Sequence, residues 1–247
     1  EESKKDNTEH LTLNRINNTD QREGIVEYFP IGLVAGIAPF NFPMNLAVHK
    51  IAPAIASGCP IILKPASRTP ISCLELAKII DRTELPKGAV SILPMDRKTG
   101  NLLVTDERFK LLSFTGSPDI GWKMKAESGK KKVVLELGGN AATIITESAD
   151  LKDALPKSLM GAFAYSGQIC IHAQRFIVHS SIYQKFTDDL KELTLNLRYG
   201  DPLLETTDVS NMIDEANAIR VENWINEAIQ QGAQVICGGK RTGSYVE

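Results

Sequence analysis

Three side chains in this sequence have the type and the setting of chemically active groups, namely a nucleophile, a general base and an amide donor. Cys170 follows a Gly-Gln pair, after a helical pattern has ended and before a strand-like run begins. A cysteine thiolate is the strongest nucleophile among ordinary side chains near neutral pH. Glu136 ends an apolar run in front of two glycines, where a carboxylate can act as a general base. Asn41 lies between two phenylalanines and two prolines, a rigid setting for an amide that donates hydrogen bonds.

Each of these residues also has an ordinary structural interpretation. A free cysteine is usually a small buried hydrophobic residue, and a lone glutamate at a strand end is usually solvated. An asparagine beside prolines commonly serves a turn. The helical pattern breaks at Ser166–Gln168, however, which predicts an exposed turn in front of Cys170 that a buried structural cysteine does not need.

Composition restricts the classes of function. The 247 residues are 43% hydrophobic and 23% charged, which is typical of a soluble globular protein with one large or two modest domains. A formal net charge of −2 gives no basic excess for nucleic acid or an anionic membrane. No apolar run approaches the ~20 residues of a membrane span, and we expect no signal peptide. None of the four cysteines has a metal-ligand spacing, so we expect free thiols, a cytoplasmic location and no metal.

From Gly24 onward, strand-like and helical segments alternate, which predicts an α/β fold with a doubly wound, Rossmann-like parallel sheet. Strands are predicted over 31–37, 59–64, 90–93, 110–114 and 132–137, and helices over 45–57, 70–83, 99–104 and 120–128. No G-x-G-x-x-G follows the first strand. Gly116 and Gly121 instead follow the fourth, at a strand-to-helix junction suited to phosphate.

After Gly139 we predict a second α/β domain. Its strands are predicted over 141–145, 175–179 and 235–237, and its helices over 150–164, 181–197 and 211–231. The predicted organisation is a polar arm or exposed hairpin over 1–23 with a turn at 17–20, a nucleotide-binding domain over 24–139, and a truncated catalytic domain over 140–247.

Five motifs in a fixed order carry a resemblance to a known family. They are Pro39–Pro43, Leu63–Ser67, Phe114–Ser117, Leu135–Asn140 and Tyr165–Ile171. In this order the chain resembles the aldehyde dehydrogenase superfamily from about Gly24 to about Gly243, and looks most like its lactaldehyde and succinate-semialdehyde branches.

The resemblance implies a role for each of the three chemical residues. Cys170 would attack an aldehyde to form a thiohemiacetal, hydride would pass to a nicotinamide cofactor, and water activated by Glu136 would hydrolyse the resulting thioester. The side-chain N–H of Asn41 and the backbone N–H of Cys170 would stabilise the oxyanion. Relatives that transfer the acyl group to coenzyme A generally lack a glutamate at this position, so Glu136 favours release of a free acid.

The resemblance also implies NADP or NAD as the cofactor. The residues that it places at the cofactor are Pro39, Phe40, Lys64, Ala66, Ser67, Arg68, Gly116, Ser117 and Leu137. Strictly NAD-dependent relatives often have a glutamate where this chain has Ser67, and that carboxylate would repel a 2′-phosphate. Ser67, with Lys64 and Arg68 nearby in sequence, favours NADP or dual use over strict NAD use.

Several features depart from this pattern or leave alternatives. His172 lies two residues after Cys170, but side chains at i and i+2 of an extended stretch point to opposite faces, so we predict no Cys-His dyad.

The family continues beyond the position of Glu247 with a second glutamate before a Phe-Gly-Pro motif. That glutamate usually holds the nicotinamide ribose. We therefore expect a fragment of a parent chain that forms a homodimer or homotetramer and oxidises a small-molecule aldehyde. The alternatives are a non-catalytic nucleotide-binding fragment or structural relative, and a thiol esterase.

Overall fold

A pair of antiparallel strands comes first in the described part of the chain, which is residues 8–13 and 23–247 of a computed structural model. Strand β1 (Glu9–Thr12) pairs with β2 (Glu23–Val26), and all four residues of β1 are exposed. The turn that the sequence predicts at 17–20 lies outside the described residues. Contacts divide the chain into two units, one ending at Leu137 and the other beginning at Gly138.

Five parallel strands organise the first unit. They are β3 (Val34–Ile37), β4 (Ile61–Lys64), β5 (Val90–Ile92), β6 (Leu111–Thr115) and β7 (Lys132–Glu136). Their order across the sheet is β5-β4-β3-β6-β7, so the chain builds outward from β3 to one edge and then from β6 to the other. The predicted doubly wound parallel sheet is confirmed.

Helices cover both faces of this sheet. They are α1 (Pro43–Ala56), α2 (Ile71–Asp81), α3 (Arg97–Thr105) and α4 (Pro118–Glu127). Successive strand residues point to opposite faces, and Val34 and Ala35 accordingly join different cores. One core packs under α1 and α2, and the other includes side chains of α3 and α4. The near-continuous apolar runs of β3 and β4 follow from this burial on both faces.

The second unit contains two short sheets, three α-helices and two short 3-10 helices, Ala164–Gly167 and Ser180–Ile182. Its elements are β8 (Ala141–Ile145), α5 (Leu151–Phe163), β9 (Ala173–Val178), α6 (Tyr183–Leu195), α7 (Glu215–Gln230), β10 (Arg241–Thr242) and β11 (Tyr245–Val246). Strands β8 and β9 are parallel, and β10 and β11 form a hairpin. Ile145, Leu155 and Phe186 form the buried core of this unit, and side chains of β9 pack against them.

Two predicted strands differ from the structure by more than two residues at an end. The first strand begins at Val34 instead of residue 31, because Gly32 has a φ of +109° and interrupts the extended backbone. The strand predicted over 235–237 is wrong. After α7 the N–H of Ala233 bonds back to the carbonyl of Ala228, and the N–H of Gly239 bonds to the carbonyl of Glu247. These bonds turn the chain into the β10–β11 hairpin, so a strand forms four residues later.

Within residues 8–13 and 23–247, no helix combines the length and the apolar character that crossing a membrane demands. The same residues contain no group of three or more His, Cys, Asp or Glu side chains arranged to hold a metal ion.

Candidate active site

The candidate residues of the first unit lie at the carboxyl-terminal end of its parallel sheet, each following one of four strands. The chain leaves β3 toward Asn41, β4 toward Ser67 and β6 toward Ser117, and β7 ends at Glu136. Strands β3 and β6 are neighbours, and the helices that follow them contribute to cores on opposite faces. This is the topological switch point, where open α/β sheets bind ligands.

The turn between β3 and α1 holds the Asn41 amide in a defined orientation. The Asn41 Oδ1 accepts the backbone N–H of Phe42 at 3.1 Å, which directs the amide oxygen toward the backbone. The Thr69 hydroxyl donates to the carbonyl of Phe40 at 3.2 Å and ties this turn to the loop after β4. Pro39 and Phe40 are half-buried in the same turn. These two hydrogen bonds orient the Asn41 amide and hold its turn against the loop after β4.

Lys64 and Ser67 come together at the end of β4. The Lys64 ammonium donates to the carbonyl of Pro65 at 3.3 Å and to the Ser67 hydroxyl at 3.4 Å. Its alkyl chain lies over Gly100 of α3, where an added Cβ would be 3.1 Å from Lys64 Cδ. Ser67 and Arg68 are exposed, and the half-buried Ala66 accepts a turn hydrogen bond from Thr69.

A second positive side chain near Lys64 was missed by sequence reasoning. Burial lowers the pKa of Lys64, and the positive charge of Arg97, at the start of α3, lowers it further. Asp96, which caps α3 by accepting the N–H of Thr99 at 2.7 Å, acts in the opposite direction. The only signal in the sequence was the charged run Asp96–Lys98 after β5, which reads as an ordinary solvated loop.

The junction between β6 and α4 contains Gly116 and Ser117. Ser117 is the exposed N-cap residue of α4, and its hydroxyl makes no capping hydrogen bond. A Cβ on Gly116 would lie 2.5 Å from Phe114 Cζ, so the ring of Phe114 already excludes a side chain there. The side chain of Leu137 packs against Gly121 of α4 in the same way. Packing alone thus accounts for both glycines, and the uncapped N-terminus of α4 is the feature that suits a phosphate.

Glu136 interacts electrostatically with a buried lysine. It is exposed at the end of β7, in register with Thr115 of β6. The buried Lys50 ammonium donates to Thr115 Oγ1 at 2.7 Å and to Ser113 Oγ at 3.2 Å. Burial lowers the pKa of Lys50 to about 8, and the Glu136 carboxylate opposes this shift. The Glu136 carboxylate and the Lys50 ammonium therefore interact electrostatically near the carboxyl-terminal ends of β6 and β7.

Sequence reasoning missed Lys50. It lies in α1 among apolar residues, nine positions after Asn41, and a lysine in that setting could have been noticed as a buried charge. Its partners are 63 and 65 residues further along the chain, so no local pattern could have identified them.

Cys170 belongs to the second unit and is exposed there, in a turn between α5 and β9. The predicted break of the helix is confirmed, since α5 ends at Phe163, but Ser166 and Gln168 in the turn are half-buried instead of exposed. Its backbone is unusual, since Tyr165, Ser166 and Gly167 have φ values of 55°, 53° and 73°. The carbonyl of Cys170 faces Gly139, where an added Cβ would be 3.0 Å from its oxygen. A glycine at 139 therefore lets the chain before β8 pass close to the cysteine backbone.

The backbone around His172 differs from the extended stretch predicted. Cys170 and Ile171 form a turn, closed by the N–H of His172 bonding to the carbonyl of Ile169 at 3.4 Å. His172 is buried, and its Nδ1 lies 2.5 Å from the carbonyl oxygen of Gly161 near the end of α5. The imidazole is thus bonded to α5, while Cys170 is exposed.

Iodoacetamide should alkylate Cys170 much faster than the other three thiols. Cys59 and Cys73 are buried, Cys237 is half-buried, and burial also raises the pKa of Cys73, which lowers its thiolate fraction. Peptide mass spectrometry after a short reaction near neutral pH measures the labelling at each position. Labelling of all four thiols in denaturant is the control, and equal labelling of Cys73 and Cys170 in the folded protein would contradict the prediction.

Comparison with known proteins places these residues in a family. Residues 3–247 match the aldehyde dehydrogenase family profile. The chain is 40% identical over 246 residues to a 3-sulfolactaldehyde dehydrogenase of Priestia aryabhattai, covering 99% of this chain and 52% of that protein. It is also 40% identical over 214 residues to the NADP(+) succinate-semialdehyde dehydrogenase of Escherichia coli, covering 85% of this chain and 44% of that protein.

Solved structures agree with the sequence matches. Aldehyde dehydrogenase 21 from Physcomitrella patens, solved in complex with its reaction product succinate, superposes with a TM-score of 0.94 at 46% identity. The match covers 100% of this chain and 52% of that one. The chain thus spans about half the length of the relatives that it matches.

Proposed function

The chain belongs to the aldehyde dehydrogenase family, and from this premise we propose that the protein oxidises an aldehyde to a carboxylic acid with NADP or NAD as the cofactor. The observation that carries the proposal is the exposed Cys170 behind a left-handed turn, in the chain position that the family motif gives to its nucleophile. The same chain supplies a carboxylate at 136 and an oriented amide at 41.

The cofactor fits the residues at the carboxyl-terminal end of the five-stranded parallel sheet. Lys64, Ser67 and Arg68 offer a positive, hydroxyl-bearing surface for an adenosine ribose and its 2′-phosphate. The N-terminus of α4 at Ser117 offers uncapped backbone N–H groups for the pyrophosphate. The remaining contacts in this proposal are Pro39, Phe40, Ala66, Gly116 and Leu137. A bound nicotinamide supplies the hydride acceptor that turns a thiohemiacetal into a thioester.

The chain's own residues carry the remaining steps. The Cys170 thiolate adds to the aldehyde carbon and forms a C–S bond, and the carbonyl oxygen becomes an oxyanion that Asn41 and the Cys170 backbone N–H stabilise. After loss of hydride, the acyl group remains on sulfur. Glu136 then accepts a proton from water, which attacks the thioester carbon, and the C–S bond breaks to release the acid. The buried Lys50 ammonium, whose pKa burial lowers and the Glu136 carboxylate raises, is the charged partner of Glu136 in this proposal.

The substrate class in this proposal is a small aldehyde with an anionic group at its other end. It is supported by the names of two relatives, whose substrates sulfolactaldehyde and succinate semialdehyde carry a sulfonate and a carboxylate. A cytoplasmic homodimer or homotetramer belongs to the same proposal, and light scattering during size-exclusion chromatography measures the mass.

Aldehyde-dependent formation of reduced cofactor by the full-length protein tests the function. Succinate semialdehyde should be oxidised with a higher kcat/KM than the neutral butanal, and alkylation of Cys170 should remove activity in proportion to labelling. Cofactor binding without any turnover across anionic and neutral aldehydes would contradict the proposal and favour a non-catalytic nucleotide-binding protein. Ester hydrolysis alone would favour a thiol esterase.

Replacing Ser67 with Glu should shift cofactor preference from NADP toward NAD by roughly fivefold or more, since a like-charge contact costs on the order of 1 kcal/mol even in a high dielectric. The new carboxylate would repel a 2′-phosphate while accepting hydrogen bonds from ribose hydroxyls. Dissociation constants for both cofactors, measured by fluorescence titration, give the ratio.

Ser57→Glu is the matched control for this change, because Ser57 is an exposed serine that precedes the amino-terminal end of β4, whereas Ser67 follows its carboxyl-terminal end. It should leave the NADP-to-NAD ratio unchanged. If Ser67→Glu also leaves the ratio unchanged, Ser67 does not face the ribose.

A further inference from the structure

The turn in front of Cys170 has a backbone that its residue types disfavour. Tyr165 and Ser166 have φ,ψ values of 55°,35° and 53°,38°. In residues 8–13 and 23–247 they are the only residues other than glycine with a positive φ. Left-handed backbone is unfavourable for residues that carry a Cβ, and it persists only where surrounding contacts fix it. Some contact must therefore hold this turn.

The contacts that hold it come from a distant segment of the same unit. The Ser166 hydroxyl donates to the carbonyl of Ser210 at 2.9 Å and accepts the N–H of Ser210 at 2.9 Å. Two residues later, Gln168 Oε1 accepts the N–H of Ile213 at 2.9 Å. Residues 208–213, which we call the strap, thus bond both sides of Gly167.

The strap is itself fixed to the rest of the unit. The Arg198 guanidinium bonds Asp208 through Nε at 2.8 Å and through a terminal nitrogen at 3.1 Å. Tyr199 donates to Asn211 Oδ1 at 2.9 Å, and the N–H of Met212 bonds to the carbonyl of Ser244 at 2.8 Å. The strap is therefore a firm support for the turn.

We infer that Ser166 and Gln168 are positioning residues for Cys170, whose hydrogen bonds to the strap hold the left-handed turn and thereby fix where the thiol is presented. The inference rests on the proposed role of Cys170 as the nucleophile. Ser166 touches no reacting atom in this account and acts through the backbone that leads to Cys170. The turn is bounded on its other side by the bond between His172 and Gly161, and loss of the Ser166 bonds leaves the single bond from Ile213 to Gln168 between the turn and the strap.

Two substitutions at Ser166 separate the hydroxyl from the backbone strain. Ser166→Ala removes the two bonds of the Ser166 hydroxyl to the strap and keeps the Cβ, whereas Ser166→Gly removes the same two bonds and also the steric cost of a positive φ. Both should slow acylation, read as the burst of reduced cofactor in the full-length protein, by about ten- to hundredfold, because small displacements of a nucleophile have effects of this size. The glycine variant should unfold at the same temperature as the alanine variant or higher, yet be no more active.

Rescue and control variants complete the experiment. Ser166→Asn should restore acylation to within about threefold, since asparagine tolerates the left-handed region and its amide can both donate and accept. Ser180→Ala, at an exposed serine of the same unit, should change nothing. Hydrogen exchange should speed up at residues 165–170 and 208–213 in Ser166→Ala and stay unchanged in Ser180→Ala.

The outcomes distinguish this inference from the proposed function. If the wild-type protein oxidises aldehydes and Ser166→Ala or Ser166→Gly acylates at the wild-type rate, the positioning role is wrong and the function stands. If the wild type oxidises no aldehyde, the function is wrong. The inference is then judged by the alkylation rate constant of Cys170, and an equal rate constant in the wild type and Ser166→Ala would overturn it.

Discussion

Replacing Glu136 with Gln is expected to slow steady-state aldehyde oxidation by about 10²–10⁴-fold, the usual contribution of a general base. Glutamine keeps the shape and the hydrogen-bonding capacity of the side chain but cannot accept a proton from water. Formation of the thioester requires Cys170 and the oxyanion donors, whereas its hydrolysis also requires an activated water. The first turnover should therefore be affected less than the later ones, which gives a burst of reduced cofactor and an acyl group trapped on Cys170.

Stopped-flow absorbance of the reduced cofactor and intact-protein mass spectrometry measure the burst and the trapped acyl group. Glu107→Gln is the matched control, because Glu107 is an exposed glutamate in a loop of the same unit. Turnover at the wild-type rate would mean that Glu136 is only a strand-end carboxylate. Loss of the burst together with turnover, and no trapped acyl group, would mean that its main task is activation of Cys170.

The elements that position these residues could be predicted because they depend on local patterns. Apolar runs bounded by glycine or proline identified the strands that end at Lys64 and Glu136, and the break at Ser166–Gln168 identified the turn before Cys170. The strand predicted over 235–237 is wrong although the local apolar pattern is present. Its apolar residues satisfy the pattern, but the backbone bond from Gly239 to Glu247 takes the chain elsewhere.

The supporting residues could not be predicted because their partners are remote in sequence. Lys50 meets Thr115 across 65 residues, and Ser166 meets Ser210 across 44. A serine in a turn and a lysine in a helix are ordinary until the fold brings such partners together. Motifs therefore identified the candidate chemical groups, whose roles stay predictions, while the residues that contact or support them emerged only from the structure.

Replacing Asn41 with Ala should lower the rate of both half-reactions by about 10²–10³-fold, the usual cost of losing one oxyanion donor. Both the addition of Cys170 to the aldehyde and the attack of water on the thioester create a negative oxygen that needs this donor. The burst itself should therefore slow, in contrast to Glu136→Gln, where the burst persists and only later turnovers suffer. The bond from the Phe42 N–H to Asn41 Oδ1 is lost as well, so the unfolding temperature must be compared with that of the wild type.

Two further measurements show whether the effect arises at the oxyanion. Alkylation of Cys170 by iodoacetamide creates no oxyanion from a carbonyl group, so its rate constant should be the same in Asn41→Ala and in the wild type. Asn45→Ala is the matched control, since Asn45 is an exposed asparagine in the first turn of the adjoining α1, and it should keep the wild-type burst. A wild-type burst in Asn41→Ala would reduce Asn41 to a turn residue. A slow burst with equally slow alkylation would show that the substitution had disturbed the thiol instead of the oxyanion.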